Sequence, residues 1–456
     1  MATDYQGLEL TTDSAEAAAA YSRTVRSYLA FGMDAGVHMK AALAADGEMA
    51  MTLITRGYFF HLFAIPALAR KAVEAAAAAE QAIASRGANQ RETWHLAALQ
   101  AWNRGAMQQT VDHWEQILLR YPHDALVVRL TNFMHFYTNG GAAMRQSSSR
   151  VIGAWDEDRP DFGYMLGVHA FSLEEAGDYE AAEAVGKRAV EINDKDIWAT
   201  HAVTHVFEMQ GRHDEGVAWL DRLSPKWEGL NNFRFHTWWH KALFHLEKGE
   251  FDVVLAHYDQ QFWAAPSYDY LDFSNAAAML WRLEYQGVDI GDRWSGLADV
   301  AERHAQDAVL AFADAHFIMA LAKDGWVETQ NTMLESLARA ALGDGDQARV
   351  TARVALPLCR ATIALCQGRA GEAADILLPL RDHVWRLGGS HAQRDVWAQM
   401  LCRALLDGER FADAHALLTQ RAAAKANSPL TQAWLAEADA GSGLALASLK
   451  NSKRLG

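Results

Sequence analysis

An all-α fold of stacked helical hairpins, an α-solenoid, is what this 456-residue sequence predicts, and three observations predict it. Glycines follow helical apolar patterns at positions 105, 140, 177, 211, 249, 287, 325, 368 and 408, recurring every 34 to 43 residues. A period in that range belongs to helix pairs that bury their apolar faces on their neighbours. The clearest unit, FSLEEAGDYEAAEAVGKRAVEIND, ends one helix at Gly177 and resumes with Ala181, Ala182, Val185, Ala189 and Ile192 as one apolar stripe. Only eight prolines occur, several at joints such as Pro122 and Pro225, and no alternating Val/Ile/Thr run marks a strand. The repeats override the several domains that length alone would imply. The expectation is a single domain over 1–456, of nine to eleven hairpins, with residues 1–13 loosely held because they lack an apolar periodic face.

The elements follow in order. GYFFHLFAIPALA, residues 57–69, carries His61 and Pro66 and falls short of the ~20 apolar residues a membrane helix needs, so it reads as a buried helix. VEAAAAAEQAIA, residues 73–84, is a strong helix former and needs no function. GDGDQA, residues 343–348, imitates a dinucleotide loop, but no strand precedes it and its third glycine is replaced by Ala348, which makes it a helix joint.

Charge and cysteines exclude further classes. With 42 Lys+Arg against 57 Asp+Glu the formal charge is −15, which repels polyphosphate and argues against nucleic acid as a partner. Cys359, Cys366 and Cys402 cannot all pair, and the first two would stand about 10 Å apart on one helix. Reduced thiols, an acidic start without an apolar export run, and no membrane-length segment point to the cytoplasm. There is no Walker loop, C-x-x-C or G-x-S-x-G, so the sequence names no cofactor and gives phosphoryl transfer, structural zinc and α/β-hydrolase chemistry no foothold.

The hairpins resemble tetratricopeptide repeats, which place a small residue five after the turn glycine and often a proline seventeen after it, as Ala182 and Pro122 stand here. Thr110, Gly216 and Val254 occupy the small-residue site elsewhere, and the longer spacings depart from the family's 34 residues. HAVTHVFEM, HTWWHKALFHLEKGE, MLWRLEYQGV, FADAHFIMA, ALPLC, LGGSHAQRDV and NSPLT, in that order, resemble more specifically the tetratricopeptide repeat protein 38 family. The resemblance implies a curved all-α protein with a concave groove and little about chemistry. In such repeats the first helix of each hairpin faces that groove through fixed positions before the turn glycine. Here those positions fall on Trp198, His201, His205 and Glu208, on His236 and Trp239, on Phe171, Glu174 and Glu175, on Trp281, and on His95.

A lining of histidine, carboxylate and tryptophan suits an enclosed small-molecule pocket, and tryptophan can hold a cation. His201, His205 and Glu208, at i, i+4 and i+7, share a helix face and can act as hydrogen-bonding or acid/base groups, as packed structural residues, or with His236 as metal ligands. Ala202 stands where the H-E-x-x-H zinc proteases carry their glutamate, so that mechanism has no support. His240, His169 and His316 fall off the groove line and read as packed. In GGSHAQRDV, Ser390 reads as a helix cap and Arg394 as a pocket or buried-pair residue. Two functions follow: a binding protein holding a small molecule or peptide through His95, Trp198, Trp239, Trp281 and Arg394, oriented by His201, His205, His236 and Glu208; or an enzyme in the same pocket with His201, His205 and Glu208 as acid/base groups or metal ligands.

Overall fold

The computed structural model describes residues 2–425 and 427–443. The chain is all-α, with helices packed as successive hairpins, among them Ala50–Leu62 on Pro66–Arg86, Phe162–Glu175 on Tyr179–Ile192 and Leu356–Cys366 on Ala370–Leu380. It divides into two compact units: Met1–Val206, Trp219–Thr237 and Gly343–Arg349 form the first, and Phe207–Ala218, Trp238–Leu342 and Val350–Gly456 the second. No helix among the described residues is long and apolar enough to cross a membrane, and the three cysteines are free thiols.

The turn glycines do what their spacing implies. At Gly177, φ is 83°, the Asp178 amide donates to the Leu173 carbonyl at 2.9 Å and the Gly177 amide to Glu174 at 2.8 Å. This cap needs a left-handed residue, which glycine supplies without steric cost. The same six-residue bond closes the helices at Gly105, Gly211, Gly249, Gly287, Gly325 and Gly368. Two positions differ. Gly140, at φ 73°, opens the helix Gly140–Ile152 rather than closing the one before it. In the last hairpin the left-handed residue is Glu409, at φ 57°, with Arg410 donating to Leu405 at 2.8 Å; Gly408 instead meets Gly371, where an added Cβ would stand 3.4 Å from the Gly371 backbone. Because a side chain costs roughly 1 kcal/mol in the left-handed region, Glu409→Gly should raise stability by about 0.5–1 kcal/mol, read by thermal melting. An unchanged or lowered melting temperature would count against this account of the cap.

Three expectations are corrected. The N-terminal segment is not loosely held: Ala2–Thr3 pairs antiparallel with Glu9–Leu10, Leu10 is fully buried, the Thr11 amide donates to Glu92 at 2.8 Å, and Arg91 donates to the Glu9 carbonyl at 3.0 Å. The hydrogen bonds of this short hairpin replace the apolar face the segment lacks. Residues 57–69 are not one helix but a joint between Ala50–Leu62 and Pro66–Arg86, because Pro66 cannot continue a helix yet suits its first turn; Phe63 is left half exposed. The joint expected over 343–348 is shorter than that, because the helix Asp346–Val350 begins inside it; Gly343–Arg349 belongs to the first unit, where the Asp346 amide donates to the Gly105 carbonyl at 2.9 Å.

Within the second unit Asp314 is buried, and its Oδ2 has no hydrogen-bond partner among the described residues. Burial, with a smaller contribution from Asp307, pushes its carboxyl up to about 8. The native chain thus holds a proton that the unfolded chain releases above about pH 4, so this group's contribution to stability falls as pH rises from about 4 to about 8. Asp314→Asn should therefore melt above the wild type at pH 8.5, with the gap shrinking by pH 5. A gap independent of pH would contradict the assignment.

Candidate functional site

The helix Ile197–Met209, which belongs to the first unit as far as Val206, starts at Asp196, whose Oδ1 accepts from the amides of Trp198 and Ala199, both at 3.0 Å. That cap sets the rotation of the helix, and Trp198, His201 and His205 then share a face. The helix Phe233–Glu247 begins where Asn231 Oδ1 accepts from the Phe233 amide at 3.0 Å, and Phe233 and His236 lie on one face. The helix Phe162–Glu175 contributes Phe171 and Glu174.

These faces bring three imidazoles together. His201 Nε2 lies 2.9 Å from His205 Nε2 and 3.1 Å from His236 Nε2. The three residues offer ring nitrogens all within 4.8 Å of one another, and they are 2%, 0% and 3% exposed. On its other side His205 turns Nδ1 to Glu174 Oε2 at 3.4 Å, and Glu175 lies in the same group of possible ligands. Aromatic rings wall the cluster: Phe171 stands 5.4 Å from the rings of both His201 and His205, Trp198 5.0 Å from His201, and Phe233 5.1 Å from His201 and 5.3 Å from His236.

Beside this wall lies Arg129, buried, its guanidinium 3.5 Å over the Trp198 ring and 5.1 Å over Phe31. Its Nη1 has no hydrogen-bond partner among the described residues. Burial pulls its pKa down to about 10, and burial pushes the Asp196 carboxyl up to about 7 against its two backbone hydrogen bonds and Arg129. Phe31 sits at φ 55° and stacks on Phe233 at 4.5 Å, while its carbonyl accepts from Asn231 at 2.8 Å. A non-glycine residue held left-handed stores strain that its surroundings must offset.

Trp198, His201, His205 and His236 thus come together as expected, but not as an open lining. The other anticipated residues belong elsewhere. His95 is fully buried in its own network, its Nε2 3.0 Å from Asp124 Oδ2 and its Nδ1 3.3 Å from the Tyr58 hydroxyl. Glu208, in the second unit, accepts from His240 Nδ1 at 3.0 Å and lies 3.6 Å from Lys425. Trp239 is buried with Arg282 5.6 Å over its ring, and Trp281 is buried with Lys323 at 4.4 Å. Large apolar rings gain most by leaving water, which is why these two tryptophans serve the packing. Ser390 caps the helix His391–Asp407 in a box with Gln393, and Arg394 lines a cavity of the second unit. His316 is packed, its Nδ1 2.8 Å from the Phe312 carbonyl, and burial takes its pKa down to about 3. His169 meets the Ser148 hydroxyl at 2.9 Å.

Arg129, Phe31 and Phe233 escaped the sequence reading. Gly140 does not close its helix as the other turn glycines do, so the same count back from it lands on Val127, Leu130 and Met134 and passes over Arg129. No repeat position marks Phe31, which lies in a loop.

No protein-family model matches the chain. Two solved structures are similar to it: yeast Tom70, with TM-score 0.36, 11% identity and coverage of 94% of this chain and 96% of that one, and the structure of Naa15/Naa10 bound to HypK-THB, with TM-score 0.25, 13% identity and coverage of 90% and 63%. At such TM-scores the likeness carries no argument about this chain's role.

Proposed function

We propose that this helical-repeat protein binds a first-row divalent cation, zinc foremost, on His201, His205 and His236, and that this centre is its ligand-binding site. What supports the reading is the convergence of three imidazole nitrogens. A ring nitrogen has one in-plane lone pair or one N–H, so His201 Nε2 cannot make good hydrogen bonds to two neighbours at 2.9 and 3.1 Å at once. A cation accepts all three lone pairs, and tetrahedral zinc at ~2.0–2.1 Å from each nitrogen puts those nitrogens about 3.3 Å apart. Glu174 fits the outer carboxylate that commonly holds a metal-bound histidine through its second nitrogen. Glu208 drops out of the ligand set because it serves His240 and Lys425. HAVTHVFEM and HTWWHKALFHLEKGE, two of the segments resembling the tetratricopeptide repeat protein 38 family, supply all three ligands, and membership of that family is part of the same proposal. The test is elemental analysis of untagged protein: close to one zinc per chain is expected, and less than a tenth, even after incubation with zinc and desalting, overturns the reading.

One observation favours a second reading, an enzyme acting on a small anionic substrate beside the metal: the buried Arg129, with Nη1 unpartnered among the described residues, lies against the Trp198 ring that walls the cluster. A buried cation whose neighbouring carboxyl, Asp196, is itself pushed toward the neutral form is costly, and a ligand anion would relieve it. Inorganic phosphate should then raise the melting temperature of wild type and not of Arg129→Met with its metal retained. Equal shifts in both proteins would remove this reading.

A further inference from the structure

Between the helices Ala370–Leu380, His391–Asp407 and Phe411–Ala424 of the second unit lies a cavity of about 480 Å³. Its volume is that of a small-molecule site. Leu377, Trp397 and Leu401 are buried in its wall, and Val384, Trp385 and Leu417 stand half-buried around them. Trp397 is 2% exposed, and its indole Nε1 has no hydrogen-bond partner among the described residues. Toward the helix Ala311–Lys323 its ring meets Phe312 at 6.1 Å and His316 at 5.0 Å, and neither accepts that N–H. The cavity is the space left beside the ring. A buried N–H without an acceptor is costly, and a ligand oxygen would relieve it.

The charged groups of the lining are engaged with the protein. Asp395 is held by Arg421 through both oxygens, with Nη2 to Oδ2 at 2.8 Å. Gln399 Nε2 donates to the same Oδ2 at 2.9 Å, and Arg421 Nε donates to the Thr431 hydroxyl at 2.9 Å. Lys425 lies 3.6 Å from Glu208. Arg394 donates to the Gly389 carbonyl and meets His391 Nδ1 at 3.3 Å. Arg381 stands half in water beside Asp382 at 3.4 Å. An ion entering the cavity would therefore lose its water without gaining a fresh counter-ion, whereas a neutral molecule loses little.

We infer that this cavity binds a small neutral molecule, a largely apolar body bearing one hydrogen-bond acceptor, with the body between Leu377, Trp385 and Leu401 and the acceptor on the Trp397 Nε1–H. The apolar walls take the body out of water, and the indole N–H fixes its orientation. The inference is independent of the metal centre.

Isothermal titration of the full-length protein with benzophenone and with diphenylmethane, which share a shape and differ by a carbonyl in place of a methylene, tests it. Benzophenone should bind at one site per chain, at least tenfold more tightly than diphenylmethane. Trp397→Phe keeps a ring in the wall and removes the N–H, so it should bring benzophenone down to the affinity of diphenylmethane and leave the latter within about twofold. Leu417→Trp, at a half-buried position, guards against a folding defect: it fills the cavity and should abolish binding of both probes with an unaltered melting temperature. The charged 4-benzoylbenzoate should bind more weakly than benzophenone. Equal affinity for the two neutral probes, several equivalent sites, binding unaffected by Leu417→Trp, or 4-benzoylbenzoate bound as tightly as benzophenone would each overturn the proposal.

Discussion

His201→Ala protein, purified without a tag, should contain less than a tenth of the wild-type zinc and unfold at the temperature of wild type stripped by a chelator. A cation that binds only the folded chain stabilises it by about 2.7 kcal/mol at a hundredfold excess over its dissociation constant. Losing one of three ligands forfeits most of that and leaves His205 and His236, both buried, around an empty centre. His205→Ala should behave alike. Glu174→Gln should keep the metal and bind it roughly 10–100-fold more weakly, since it touches the cation only through His205. Glu208→Gln should leave zinc content unchanged and still cost about 1–3 kcal/mol, because His240 and Lys425 lose an anion in a buried place. In an open groove these side chains would be dispensable for stability; His201 and Glu208, at 2% and 5% exposure, do not stand in one. If all four variants lower the melting temperature equally and none contains metal, as the wild type then would not, the cluster is a packed core.

The second large effect is expected at Asp124. Its Oδ2 accepts from Arg91 at 2.7 Å and faces His95 at 3.0 Å, and its Oδ1 caps the helix Ala125–Thr138 through the Val127 amide at 3.1 Å. Arg91 and Asp124 are 1% and 2% exposed. Asp124→Ala leaves the buried Arg91 charge with only the more distant Asp4 at 4.0 Å, at about 3–5 kcal/mol, and removes a cap of roughly 1 kcal/mol. Asp124→Asn retains the cap and should lose less. Burial opposes ionisation of this carboxyl, but His95 and Arg91 outweigh it and hold it well below the usual carboxylate range. Its contribution is therefore complete above about pH 4 and declines as pH falls toward the lower native value. Wild type should lose stability over that acid range more steeply than Asp124→Asn. Parallel acid titrations, or a loss under 1 kcal/mol in Asp124→Ala, would refute this account.

What the sequence by itself determined is the periodic part. Seven turn glycines are legible because each occupies a left-handed cap that other residues enter only at a cost. Trp198, His201, His205 and His236 are legible as partners because the caps fix how far each helix is rotated. Their depth was not legible: i, i+4 spacing says which side chains share a face and nothing of how much protein covers it. Only the tertiary structure decided that the face is buried, that Glu174 rather than Glu208 stands behind His205, and that Arg129 and Phe31 lie against Trp198. Those contacts join residues far apart in the chain, and they depend on side-chain packing between helices, which no local propensity encodes.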